Sequence, residues 1–329
     1  MRPGASRRLV RARRLCARAC PVFPAPLNTS DTNERSQRIA LLLMWVLPAL
    51  WSSNYIIARA ASDVVTPHVL ATGRWALVGL LLLPWVWRDL AAVGRAWRAE
   101  AGRMIVLGGL GMWICGAFVY QGAQSTVAVN IGLIYAASPV AIALAGRWLL
   151  KEKATVSQRL GMALALLGVL VVVSRGDLSS LMAVRFVAGD LWIAVASVSW
   201  AAYTVLLQRW PSSLSPPQRL ACIVAGGLVV LLPFTALELY LVDAPPFSLQ
   251  AVLLIVLAAL LPGFLSYQAY GFMIRALGAT RTSVMLYLAP LYGAFNAWWL
   301  LGEMPSWYHV AGAALILPSI YLVQRRAAA

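Results

Sequence analysis

A chain of 329 residues, 61% apolar and only 12% charged, with a mean hydropathy of +0.76, is not a soluble globular domain, which runs near half apolar and a quarter charged. Its formal charge of +16 would suit a nucleic-acid partner, but the basic residues gather in tails and loops between apolar stretches, which excludes one. What remains is a polypeptide dissolved in lipid. The strict alternation of an outer-membrane barrel is absent, so its spanning elements must be helices.

Residues 1–38 form a basic arm rich in Arg and Pro, with no apolar period and no signal-peptide core. It reads as a disordered segment on anionic lipid, an organelle-targeting arm or a mis-assigned upstream start, and no function is built on it. Beyond it, stretches long enough to cross a hydrocarbon core follow one another. The first five are Ile39–Ala60, Thr66–Trp87, Met104–Ala123, Thr126–Leu150 and Gln158–Ser174. The second five are Gly189–Gln208, Leu220–Leu241, Ala251–Met273, Thr282–Leu301 and Tyr308–Val323. The expectation is an all-α polytopic membrane protein with ten transmembrane helices, and residues 88–103 are read as a basic loop. Pro48, Pro139, Pro262 and Pro290 fall inside these stretches, where each removes a hydrogen bond and bends its helix.

With a cytoplasmic N-terminus and ten alternating helices, 23 of the 27 Lys and Arg lie in cytoplasmic tails and loops. Three, Arg59, Arg175 and Arg185, lie outside, and Arg74 lies within a stretch. That asymmetry is the positive-inside rule. It places both termini in the cytoplasm of a multi-pass protein of the plasma (inner) membrane.

The chain also repeats itself. Residues 139–167 aligned with those 151 positions later match at ten of 29 places without a gap. Pro139/Pro290, Trp148/Trp299, Glu152/Glu303 and Gly161/Gly312 carry the signal, because matches of Leu and Ala are cheap in an apolar chain. A weaker echo links WSSNYIIAR from Trp51 with WAAYTVLLQR from Trp200. The expected units are five helices in 39–175 and five in 186–325. Five is odd, so the second unit enters the membrane from the opposite face, giving inverted repeats of the kind many secondary transporters use.

In these residues the chain resembles the EamA-type transporters of the drug/metabolite transporter superfamily. The likeness spans about Ile39 to Val323 and rests on the paired motif Pro139, Glu152, Gly161 and Pro290, Glu303, Gly312. It implies transport of a small molecule, an amino acid-like solute, another metabolite or a drug, with export the expected direction. It implies no particular substrate. The family's second helix usually carries an arginine, and Arg74 looks like it.

Arg74 sits about eight residues inside its stretch, roughly 12 Å deep at 1.5 Å per residue. It reads either as an anchor for a substrate carboxylate or as a structural charge bonded to carbonyls. Glu152 and Glu303 end their stretches and read as caps or partners of neighbouring groups. Trp51, Asn54 and Tyr55 share one helix face, as do Trp200, Tyr203 and Thr204. Tyr120, Gln121, Asn130, Tyr135, Tyr267, Gln268 and Tyr287 add polar or aromatic groups near mid-helix, and with Arg74, Trp51, Asn54, Tyr55, Trp200 and Tyr203 they form the expected substrate-binding set. Taken singly, each could equally be helix–helix glue. No carboxylate lies at mid-span, so facilitated diffusion or exchange suits the sequence better than a proton relay. Cys115 and Cys222 read as small apolar residues, and Cys16 and Cys20 form a C-x3-C without a nearby His. No metal or cofactor is implied. The rivals are a membrane enzyme, for which no catalytic motif is present, and a channel, for which no filter or charged ring is present. Oligomeric state is left open, a monomer included.

Overall fold

The computed structural model describes residues 29–126, 128–177, 179, 181, 185–301 and 304–324. The chain separates into a short unit, Met1–Ile39, and a body, Ala40–Ala329; the packing and cavities described below are those of the body. All regular structure among the described residues is helical. The first half contains α1 (Thr29–Ala60), α2 (Pro67–Trp87), α3 (Leu90–Gly108), a π-helical segment (Gly109–Ile114), α4 (Cys115–Ala123), α5 (Ala128–Ala136), α6 (Ser138–Leu149) and α7 (Val156–Val173). The second contains α8 (Ala188–Arg209), α9 (Pro216–Leu241), α10 (Leu249–Ala258), a second π segment (Ala259–Leu265), α11 (Ser266–Leu277), α12 (Ala279–Ser283), a 3-10 turn (Val284–Leu288), α13 (Ala289–Leu301) and α14 (Trp307–Gln324).

Eight helical runs among the described residues are long and apolar enough to cross a membrane. Many large apolar side chains point outward, among them Leu42, Leu80, Trp148, Leu160, Leu191 and Val229. In water such a surface would drive association; against lipid tails it costs nothing.

The two halves repeat element by element. Adding 151 to α7 (156–173) gives 307–324, the span of α14, and adding it to the first π segment (109–114) gives 260–265, within the second. Two pairs of counterparts pack on each other, and both run antiparallel. In the α7–α14 pair, Gly161 faces Ser319 and Val323 while Gly168 faces Gly312 and Ile316. The glycines let the backbones close: a Cβ on Gly168 would lie 2.8 Å from Ile316 and 3.0 Å from the Gly312 carbonyl. In the α2–α9 pair, His68 meets Glu238 at one end (2.9 Å) and Gln218 donates to the Trp85 carbonyl at the other (3.1 Å), with Thr72 and Thr235 paired between them (2.6 Å).

Three expectations need correction. Residues 88–103 are not a loop: α3 starts at Leu90, with Asp89 capping the amide of Ala92 at 3.0 Å, and continues into the spanning run Leu90–Ala123. Its Ala, Leu and Arg residues are strong helix formers, so the basic stretch extends the helix. Second, Pro139 does not bend a continuous helix. The helix stops at Ala136 and restarts with Pro139 in the first turn of α6, where its missing N–H has no partner to lose. Pro290 likewise lies in the first turn of α13, after the 3-10 turn that divides the ninth stretch. Third, the basic arm 1–38 is not irregular throughout, because its residues from Thr29 onward are helical.

Candidate binding chamber

A cavity of about 80 Å³ lies where α1, α2, α4, α5, α8, α11 and the 3-10 turn converge. Its wall includes Trp51, Asn54, Arg74, Tyr135, Trp200 and Tyr267 from the expected set, and also Pro48, Ser52, Cys115, Val119, Met285, Leu286 and Ala289. The tryptophans of the sequence echo, Trp51 and Trp200, touch edge to face at 5.1 Å. Two counterpart residues in contact mark the place where the halves meet. Tyr270, fully buried, packs on both (5.1 and 4.9 Å), and Trp75 meets Tyr267 at 4.7 Å. Such ring pairs are worth about 0.5–1.5 kcal/mol each beyond their area, enough to hold a rigid aromatic wall.

Arg74 is the chamber's one charge among the described residues, and it is 4% exposed. Its Nη1 donates to Asn54 Oδ1 (3.2 Å) and to the Tyr120 hydroxyl (3.0 Å), while Nη2 donates to the Pro262 carbonyl (2.7 Å). Tyr120 in turn donates to Asn54 Oδ1 at 2.9 Å. The guanidinium also lies 4.7 Å from the Trp75 ring centre. Nε is buried with no partner, and no carboxylate bridges to Arg74 among the described residues. A buried cation costs several kcal/mol unless polar groups compensate it. Here neutral oxygens do so in part, and the positive charge stays uncancelled at the wall.

The π segments explain why those oxygens are available. A wider turn moves carbonyls out of the i to i+4 ladder, and side chains collect them. Pro262 O takes Arg74, Gly111 O takes the Tyr267 hydroxyl (2.8 Å), Met112 O takes Trp75 Nε1 (3.1 Å) and Leu110 O takes Ser199 (2.8 Å). Gly111 is required for this closeness, since a Cβ there would lie 2.8 Å from the Tyr203 ring. The Met112–Trp75 bond lies within the first half; in the other three, one half supplies a carbonyl to a polar side chain of the other. The sequence marked Pro262 only as a bend; its carbonyl is the closest partner Arg74 has.

The two ends of the chamber differ. Val119, Tyr135, Leu286 and Ala289 also line a vestibule of about 570 Å³, whose far wall holds the exposed Arg59, Ser62, Gln124 and Gly293. Towards the other end, Tyr203 and Tyr267 are buried, and Tyr267 separates the chamber from a pocket of only about 30 Å³ lined by Arg219, Gln268 and Arg275. That end is cross-tied. Glu152 accepts from Gln208 Nε2 (2.6 Å) and the Thr280 hydroxyl (2.9 Å), Gln208 accepts from the Ala279 amide (2.5 Å), and Arg281 donates to the Gln324 carbonyl (2.8 Å). Gly278, at φ 86°, makes the left-handed turn that presents the Ala279 amide.

Other expected site residues lie elsewhere. Asn130 is buried and donates to Asp190 (2.7 Å) and the Arg185 carbonyl (3.1 Å), fixing the start of α8. Gln121 bonds Gln124 at 3.3 Å. Tyr287 is fully buried with an unpartnered hydroxyl and does not line the chamber. The side chain of Tyr55 and all of Glu303 lie outside the described residues. Among the described residues no group of three His, Cys, Asp or Glu could hold a metal.

The family model for the EamA-like transporter family matches twice, at residues 38–174 and 187–325, covering both halves of the body. The chain belongs to the EamA-like transporter family. It is a transporter, not an enzyme. An uncharacterized transporter of Archaeoglobus fulgidus is 27% identical over 284 residues, covering 85% of this chain and 96% of its own length. A probable amino-acid metabolite efflux pump of Salmonella typhimurium is 24% identical over 296 residues, covering 86% and 93%. A crystal structure with TM-score 0.68 and 17% identity covers 87% of this chain and 96% of its own, a likeness of fold alone. In EamA terms, the paired Pro and Gly of the motif act here in the backbone. The prolines restart helices, the glycines seat α7 on α14, and Glu152 ties the closed end.

Proposed function

We propose that this protein is a ten-span secondary transporter, built as inverted repeats 39–175 and 186–325, that moves a small organic metabolite past Arg74 by alternating access. The antiparallel packing of counterparts α2 with α9 and α7 with α14 supports the inversion. The contact of Trp51 with Trp200 supports a pseudo-two-fold axis through the chamber. In this reading the divided ninth stretch and α14 are the ninth and tenth spans of a plasma-membrane protein, and the asymmetry of Lys and Arg between its loops supports cytoplasmic termini. In that orientation the vestibule faces outward and the tied end faces the cytoplasm. Export fits the name of the Salmonella relative. One protomer holds the whole path, and no nucleic acid takes part.

The observation that carries the reading is Arg74: a buried guanidinium on a chamber wall, held by Asn54, Tyr120 and Pro262 and left without a counter-charge. A structural arginine would have its charge cancelled or its donors used up. This one keeps an uncancelled charge on a chamber wall otherwise lined by aromatic and apolar groups. Purified protein in liposomes preloaded with metabolites tests it. Saturable, exchange-stimulated flux that is lost in Arg74→Gln supports the reading. Unitary currents, or normal flux in a well-folded Arg74→Gln variant, would refute it.

A further inference from the structure

The three cavities share one property. The vestibule contains Arg59, the chamber Arg74, and the small closed pocket Arg219 and Arg275, while among the described residues no Asp or Glu lines any of them. Of the nearby acids, Asp63, beside Ser62, is exposed and lines none of the cavities, and the others are occupied. Asp190, behind Thr126, takes hydrogen bonds from Thr126, Asn130 and the Val187 amide. Glu152 takes its bonds from Gln208 and Thr280. Glu100 of α3 lies in electrostatic reach of Arg219 but not on the pocket wall. Arg219 caps the end of α8 through the Leu207 and Trp210 carbonyls, yet its Nε is buried without a partner. Arg59 is notable for the opposite reason: in the proposed orientation it lies outside, where the positive-inside rule supplies no cause for it.

We infer that the path selects for anions, and that the permeant is an organic anion, a carboxylate above all, with an apolar or aromatic body and no ammonium group. The inference rests on reading Arg74 as the permeant's anchor. A carboxylate travelling between the vestibule and the closed pocket meets a cation on the wall of each cavity and an anion on none, within low-dielectric walls that focus the field. The chamber gives its apolar body the rings of Trp51, Trp200 and Tyr267. An ammonium finds no carboxylate to pair with and is repelled by Arg74, so a cation loses all charge recognition and a zwitterion gains at one end what it loses at the other. This is selection by an unpaired charge set against the wrong partner.

The test uses the full chain in liposomes preloaded with a uniformly 13C-labelled bacterial small-molecule extract. Efflux is followed by mass spectrometry after sorting the contents into anionic, zwitterionic and cationic fractions. The expected result is protein-dependent depletion confined to the anionic fraction, with at least tenfold preference over zwitterions of similar size. Depletion led by the zwitterionic or cationic fraction would overturn anion selection while leaving the transport reading in place. No depletion in any fraction would remove both. Arg59→Glu, at an exposed position, should slow anion efflux several-fold at low salt and less at high salt. An unchanged rate at every ionic strength would remove the vestibule arginine from the selection.

Discussion

The two ends of this protein are built from corresponding elements, yet one is open and the other shut. At the open end a vestibule of about 570 Å³ reaches exposed residues of α1 and α13; at the shut end about 30 Å³ remains behind Tyr203 and Tyr267. The shut end is tied by a carboxylate and an amide, Glu152 and Gln208, to the start of α12. In the proposed alternating-access cycle this difference is one of conformation, and the chamber between the ends, on the seam of Trp51 and Trp200, is what the two conformations share.

Four substitutions sharpen or break that comparison. The largest effect belongs to the shared chamber. Arg74→Gln removes charge-assisted bonds worth about 1.5–3 kcal/mol, so flux should fall roughly 10- to 100-fold with folded yield preserved, measured by exchange in liposomes. Next is the α7–α14 seam that both conformations must carry. Gly168→Ala forces a Cβ into Ile316 and the Gly312 carbonyl, and overpacking costs about 1–3 kcal/mol; the thermal midpoint in detergent should drop by several degrees. Glu152→Gln acts on the shut end alone. It keeps the shape and weakens bonds to Gln208 and Thr280 worth about 1–2 kcal/mol over neutral ones. It should raise thiol labelling of a Gly271→Cys reporter about tenfold without lowering the thermal midpoint. The smallest effect is that of Tyr267→Phe, which loses the bond to Gly111 O at a cost of about 1 kcal/mol and should raise leak at the shut end two- to fivefold.

The sequence disclosed the framework well, for physical reasons. A helix that faces lipid has to be apolar for its whole length, and a duplicated unit keeps its Pro, Trp, Glu and Gly at fixed spacing. Helix existence and repeat spacing were therefore legible. Arg74, Trp51 with Asn54, and Trp200 could be picked out because a charge or a polar face inside an apolar stretch needs a reason. What stayed hidden was backbone. Nothing in Gly109–Ile114 or Ala259–Leu265 announced a π turn, because the signal is a carbonyl direction and not a side-chain type. The partner of Arg74 at Pro262 was invisible for the same reason. Asn130 and Tyr287 are polar residues at mid-helix, but polarity does not say which way a side chain points: Asn130 faces Asp190, and Tyr287 faces the core. The α3 extension is not legible in the sequence because a basic helix end and a basic loop have the same composition.

The central claim is that one chamber at Arg74 opens to the two ends in turn. It is tested most directly by labelling two single-cysteine reporters in membranes, in a background with the native cysteines changed to serine: Ser62→Cys at the vestibule and Gly271→Cys at the shut pocket. The account predicts opposite responses, with Glu152→Gln raising labelling at position 271 and lowering it at position 62. Labelling that rises at both ends together would mean a continuous pore, and would contradict it.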